Sequence, residues 1–187
     1  MTPRNPFKRS VDVPGDVVAQ ASLAPGEKVL AGTRTTDGTW LLGTHKALHV
    51  VLDPGAEVDR EVEAPPVERR IPWERIERAD WDRDEELLVV EEVGEFGRVR
   101  PRHELAVAEP GLLLELVRER VTASVVLQRR VNTEGKKGLL VIGRRSPVGD
   151  GEISWAYQFD AGVDPEDPSV MAAAEAGLRA AQADLGL

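Results

Sequence analysis

Two of the chain's three histidines, His45 and His49, stand four residues apart inside "GTWLLGTHKALHVV", residues 38–51. On an α-helix that spacing puts two imidazoles on one face, as in a zinc-binding pair. The surrounding residues argue for a hairpin instead. Gly43 precedes the pair, Thr44-His45-Lys46 reads as a turn, and "ALHVVL" is apolar and β-branched. His45 is therefore expected on an exposed turn, as a minor contact residue, and His49 on the strand after it. A third ligand is not near in sequence, and His103 would serve only if the fold delivered it. No metal site and no cofactor are expected.

Carboxylates are dense between Glu57 and Glu109, with Asp80, Asp82, Asp84, Glu85 and Glu86 close together. A carboxylate pair can do acid–base chemistry in a cleft that shifts its pKa values. A run of like charge on short strands and loops reads more simply as a solvated face, able to attract a basic partner. Nucleophilic chemistry finds no support. There is no cysteine and no G-x-S-x-G turn. "GTRTTDG" lacks the G-x-x-x-x-G-K-[ST] pattern of a phosphate loop, and no G-x-G-x-x-G opens a helix. No catalytic residue is assigned.

The basic residues are segregated. Arg118, Arg120, Arg129, Arg130, Lys136, Lys137, Arg144 and Arg145 fall in a short span with few acids. If strands over 125–133 and 137–146 pair as a hairpin, Arg129, Arg130, Arg144 and Arg145 come close together. With Lys136 and Lys137 they make the candidate anion- or partner-binding set, suited to a phosphate, an anionic headgroup or an acidic protein surface. Adjacent arginines on a strand point to opposite faces, so a hairpin with a merely basic polar face is the simpler explanation. The tryptophans, Trp40, Trp73, Trp81 and Trp155, sit in or beside strands and are expected in the core. Trp73, next to Pro72 at an expected sheet edge, is the candidate surface contact.

With 187 residues the chain can bury one sizeable core, or one core plus an appendage. It is 41% hydrophobic and 30% charged, the composition of a soluble globular protein. No apolar run reaches the length of a membrane-crossing helix. "MTPRNPFKRS" is basic, but no apolar signal-peptide core follows it, and a cytoplasmic location is expected. A net charge of −9 and an aromatic content of 4% argue against nucleic-acid binding.

The elements that must position these residues are legible in outline. Residues 1–22 read as an N-terminal arm with a short helix in "PGDVVAQAS". Strands are expected over 28–35 and 39–43, joined at Asp37-Gly38, and in "ALHVVL". "DPGAEVDREVEAPPVE" reads as a loop. "RRIPWERIERADWD" reads as an edge strand that bends at Pro72-Trp73 and resumes over 76–81. "ELLVVEEV" and "FGRVRPRHELAVA" are further strands, the latter with His103, Leu105 and Val107 on one face. Pro110 fits the first position of a helix carrying Leu112, Leu113, Leu116, Val117 and Val121. Three more strand-like runs lead to a helix capped by Asp167 and Pro168, with Met171, Ala174, Leu178, Ala181 and Leu185 as its apolar stripe. Its many alanines permit close docking, on the chain's own sheet or on a partner subunit. Strands, helix, strands, helix is an α+β order.

Three stretches resemble a bacterial pleckstrin-homology-like, or GRAM-like, domain. "GEKVLAGTRTTDGTWLLGTHKALHVV" resembles its opening strands, "RIPWERIERADWDRDEELLVV" the edge that leads into the next strands, and "PGLLLELVRERV" the closing helix. The resemblance covers residues of about 27–121. It implies a bent antiparallel PH-like β-barrel capped by one helix, over a domain spanning 23–122. It also implies a binding role toward lipid headgroups, peptides or proteins. Residues 123–187 depart from the minimal domain and are expected as a C-terminal β-rich extension and final amphipathic helix packed on the first domain. The expectation is a non-enzymatic binding or scaffold module with a protein partner or a second copy of itself. Recognition of anionic lipid or phosphate through the basic hairpin is the alternative.

Overall fold

A computed structural model describes residues 13–53, 68–94, 100–134 and 137–187. The chain divides into two units, Met1–Thr122 and Ala123–Leu187. The first contains α1 (Gly15–Gln20) and the strands β1 (Val29–Arg34), β2 (Thr39–Thr44), β3 (Ala47–Leu52) and β4 (Glu68–Pro72). A 3₁₀ turn, Trp73–Arg75, leads into β5 (Ile76–Asp82), β6 (Leu87–Glu92) and β7 (Arg102–Ala106), and α2 (Leu112–Ser124) follows, its last two residues, Ala123 and Ser124, belonging to the second unit. The second unit contains β8 (Val125–Glu134), β9 (Lys137–Arg144), β10 (Ser154–Phe159) and α3 (Pro168–Asp184). The class is α+β, with every strand pair antiparallel.

Among the described residues the strands form three separate sheets, ordered β1-β2-β3-β4, β5-β6-β7 and β10-β9-β8, and no closed barrel. The first two sheets are joined along the chain and by hydrogen bonds between them. Pro72 cannot continue a ladder, and the chain turns through Trp73–Arg75 from β4 into β5. Elsewhere, Thr36 N–H donates to Ala106 C=O at 2.9 Å and the Thr33 hydroxyl donates to Glu109 C=O at 2.9 Å. The turn between β1 and β2 carries Gly38 at φ +88°, where a side chain would be strained, and Asp37 Oδ1 accepts from Thr39 N–H.

Strands β2 and β3 are apolar on both faces, so the first sheet needs two covers. Leu41 and Leu48 join Ile71 and Ile76 in a core with Leu113, Leu116 and Val117 of α2. Leu42 and Val51 lie in a second cluster with Val17 of α1 and Ala21. The short helix of the expected arm thus docks through Val17, while residues 1–12 lie outside the described residues. α2 comes so close at Gly43 that an added Cβ would stand 2.6 Å from Leu116 Cδ2 and 2.9 Å from Leu113 Cδ1. That helix starts at Leu112, later than Pro110 suggests, because Gly111 adopts φ +52° between them.

In the second unit α3 packs on β8 and β9. Its buried face is Val170, Ala174, Gly177 and Ala181, whereas Leu185 is exposed. Ala174 and Ala181 of the expected stripe lie on that face and Leu178 packs beside them, Leu185 stands past the last helical residue, and Gly177, which offers no apolar side chain to a pattern, gives the closest approach. An added Cβ there would overlap Val131 Cγ2. The alanine-rich helix therefore docks on its own sheet. Asp167 caps it, accepting from Ser169 N–H at 2.7 Å, with Pro168 as first residue.

Candidate functional site

The His45–His49 stretch forms strand and turn, and His49 takes part in a buried polar network. Glu27, in the segment before β1, sends its carboxylate to the same place. Its Oε1 accepts from the Thr44 hydroxyl at 2.5 Å and lies 3.3 Å from His49 Nε2, and Oε2 accepts from Ala24 N–H at 3.0 Å. The Glu27 and His49 side chains have no solvent exposure. Burial pushes the Glu27 carboxyl up, but the Thr44 hydroxyl, Ala24 N–H and His49 outweigh it and bring its pKa from 4.5 down to about 2. Carboxylate, imidazole and hydroxyl are the parts of a nucleophilic triad, but the wiring differs. The Thr44 hydroxyl gives its proton to the carboxylate, not to the imidazole, and accepts from Lys46 N–H and Ala47 N–H. The network ties the N-terminal segment to β2 and β3 and has no opening for a substrate.

Trp73 is placed differently from the surface contact expected of it. The 3₁₀ turn carries its ring inward, where it has no exposure and its Nε1–H donates to Thr44 C=O at 3.0 Å. It packs in the core with Leu48 and Ile76.

Strands β8 and β9 pair as the basic hairpin requires, but their register scatters its arginines. Arg129 stands opposite Val141 and Arg130 opposite Leu140, whereas Arg144 stands opposite Val125. Four residues of strand, about 13 Å, separate the last position from Arg130's. Arg129 lies on the side of α3 and pairs with Asp184 there. Arg130, on the other face, makes a two-pronged pair with Asp160, Nη1–Oδ1 at 2.9 Å and Nη2–Oδ2 at 2.5 Å. That guanidinium holds the Asp160 carboxyl below its ordinary range, and Asp160 also accepts from Gly138 N–H. Arg144 is buried at 5% exposure and donates to the Ser124 hydroxyl at 2.9 Å. Arg145 is partly exposed, with its backbone N–H on Ser124 C=O, and Lys137 is exposed at the start of β9. Lys136 lies outside the described residues. A small cleft beside Lys137, lined by Thr133, Gly162, Asp164 and Asp167, carries acids as well as the lysine.

The expected acidic face is a mixed one. Across β5, β6 and β7, Arg78, Glu91 and Arg102 form a ladder, with Arg102–Glu91 at 3.0 Å and Arg78–Glu91 at 3.8 Å. Asp80 and Glu104 flank it at 2.8 and 2.9 Å from Arg78 and Arg102. Asp82 serves the β5–β6 turn by accepting from Asp84 N–H and Glu85 N–H.

One constellation escaped the sequence reading. His103 of β7 stands between Arg69 of β4 and Glu92 of β6, with Nδ1 at 3.0 Å from Arg69 Nη1 and Nε2 at 2.8 Å from Glu92 Oε1. Arg75 approaches the other Glu92 oxygen at 3.9 Å. The available signal was that His103 shares a strand face with Leu105 and Val107, a polar residue at the end of an apolar stripe. Among the described residues no three ligating side chains gather for a metal, and no helix is long and apolar enough to cross a membrane. Compared with family models, curated proteins and solved structures, the chain matches none of them.

Proposed function

We propose that the chain is a non-enzymatic, cytoplasmic binding module that engages a protein partner, or a second copy of itself, from a pleckstrin-homology-like scaffold in its first unit. The support for the scaffold is the order of elements. Four antiparallel strands, a turn at Trp73–Arg75, three antiparallel strands and a helix seated on Gly43 suit the bent barrel and capping helix implied by residues 27–121. Fold alone does not choose a ligand. The observation that favours protein over anion is the internal neutralisation of Arg129 by Asp184 and of Arg130 by Asp160, with Arg144 buried. An anionic headgroup would have to displace those carboxylates or settle for the remaining basic side chains.

Affinity capture with the full chain as bait, combined with a light-scattering mass, tests the reading. We expect either a partner recovered in stoichiometric amount or a dimer mass. A monomer that recovers nothing, yet turns over a substrate in an activity screen, would overturn it.

A further inference from the structure

We propose that Arg69, His103 and Glu92 form a proton-sensitive latch joining the first unit's two sheets. The inference rests on the geometry of three side chains and is independent of what the module binds.

Arg69 sits on β4, an edge strand of the four-stranded sheet, and His103 on β7, an edge strand of the three-stranded one. A guanidinium only donates hydrogen bonds and a carboxylate only accepts them. With Arg69 Nη1 at 3.0 Å from Nδ1 and Glu92 Oε1 at 2.8 Å from Nε2, the imidazole must accept at Nδ1 and donate from Nε2. It is therefore neutral, in the Nε2–H tautomer. The charged groups facing it are Arg69 from β4 and Glu92 from β6, with Arg75 of the 3₁₀ turn behind Glu92. On its own strand, Arg102 and Glu104 pair with each other, and Arg102 also with Glu91. Arg70 stands opposite His49, on the other side of β4. The His103 and Glu92 side chains are 11% and 15% exposed, so bulk salt screens them less than an open surface pair, yet water reaches them.

Uptake of one proton from solvent at Nδ1 changes both contacts at once. The imidazolium donates from both nitrogens and binds Glu92 more strongly. The Nδ1 lone pair is consumed, so Arg69 loses its acceptor and meets a like charge instead. His103 stays with β6, and the start of β4 loses its tie to the neighbouring sheet. Histidine is the side chain that makes such a change between pH 5 and 8.

Imidazole ¹H–¹⁵N correlation spectra and amide exchange on the full chain, from pH 8 to pH 5, test the latch. The expected results are the Nε2–H tautomer at pH 8 and, after correction for intrinsic exchange, about a tenfold rise in opening of the β4 amides as His103 protonates, the effect of one lost hydrogen bond. His103→Gln can accept from Arg69 and donate to Glu92 without titrating, so its β4 opening should stay low throughout. Arg69→Met should raise the opening at every pH and remove the step, which keeps the test decisive if the glutamine variant does not fold. An Nδ1–H tautomer at pH 8, or the wild-type pH step surviving in either variant, would overturn the proposal.

Discussion

Gly138→Ala is expected to destabilise the sheet β10-β9-β8 severely. Gly138 stands opposite Asn132 in the β8–β9 ladder. A Cβ built on it would overlap the Val131 carbonyl oxygen and lie 2.9 Å from both Asn132 Cα and the Val131 carbonyl carbon. All three are backbone atoms of β8, so no rotamer change relieves the overlap and the strands must part. Parting them also strains the bonds Gly138 makes on its other side, its N–H to Asp160 Oδ2 at 2.9 Å and its C=O from Asp160 N–H at 3.0 Å. Overpacking against side chains costs about 1–3 kcal/mol, and against backbone we expect about 3 kcal/mol or more. A urea titration, with amide exchange read on β8 to β10, measures it. Gly151→Ala is the control, since its added Cβ meets nothing nearer than 3.8 Å and should shift stability by no more than about 0.5 kcal/mol. A wild-type midpoint for Gly138→Ala would show that the strands do not approach as described.

Glu27→Gln is the second large effect. The carboxylate accepts from three donors in a site with no exposure, and an amide there turns one donor toward other donors. A folded pKa of about 2 against an ordinary 4.5 corresponds to about 3 kcal/mol. For a chain of this length that is a fall in Tm of roughly 6–12 °C. The pH dependence has a definite sign. A depressed carboxyl stabilises the fold fully above its unfolded pKa, so the contribution is complete above about pH 4.5 and fades as the pH drops toward 2. Asp37, Asp160 and Asp167 are also held low and titrate in the same direction. The readout is thus the difference between wild type and Glu27→Gln in melts from pH 7 to pH 2. It should be largest near neutrality and shrink in acid. A difference constant across that range would contradict the ionised, buried carboxylate.

Local chemistry made part of this structure legible. Asp37-Gly38 marks its turn through the left-handed conformation of Gly38, and Pro72 marks the bend because proline cannot donate to a ladder. Periodicity finds α2 and the Ala174, Leu178 and Ala181 side of α3 but misses Gly177, which carries no side chain to count and yet sets the docking distance. The functional residues were harder to read for a consistent reason. A run of arginines shows where charge is, not what answers it. Arg130's partner Asp160 lies 30 residues away and Arg129's partner Asp184 lies 55 away, each delivered by another element. His49 likewise reads as a strand residue, while its partner Glu27 comes from 22 residues upstream. Trp73 looks like an edge contact until the 3₁₀ turn is known to carry its ring inward.

Co-sedimentation of the full chain with anionic phospholipid vesicles, at low and at physiological salt, tests most directly the proposal that the chain engages a protein rather than an anionic surface. With Arg129 and Arg130 neutralised and Arg144 buried, we predict no binding above that to neutral vesicles at either salt concentration. Salt-sensitive binding that is abolished by combining Arg129→Glu with Arg145→Glu would contradict the account and establish the hairpin as an anion site.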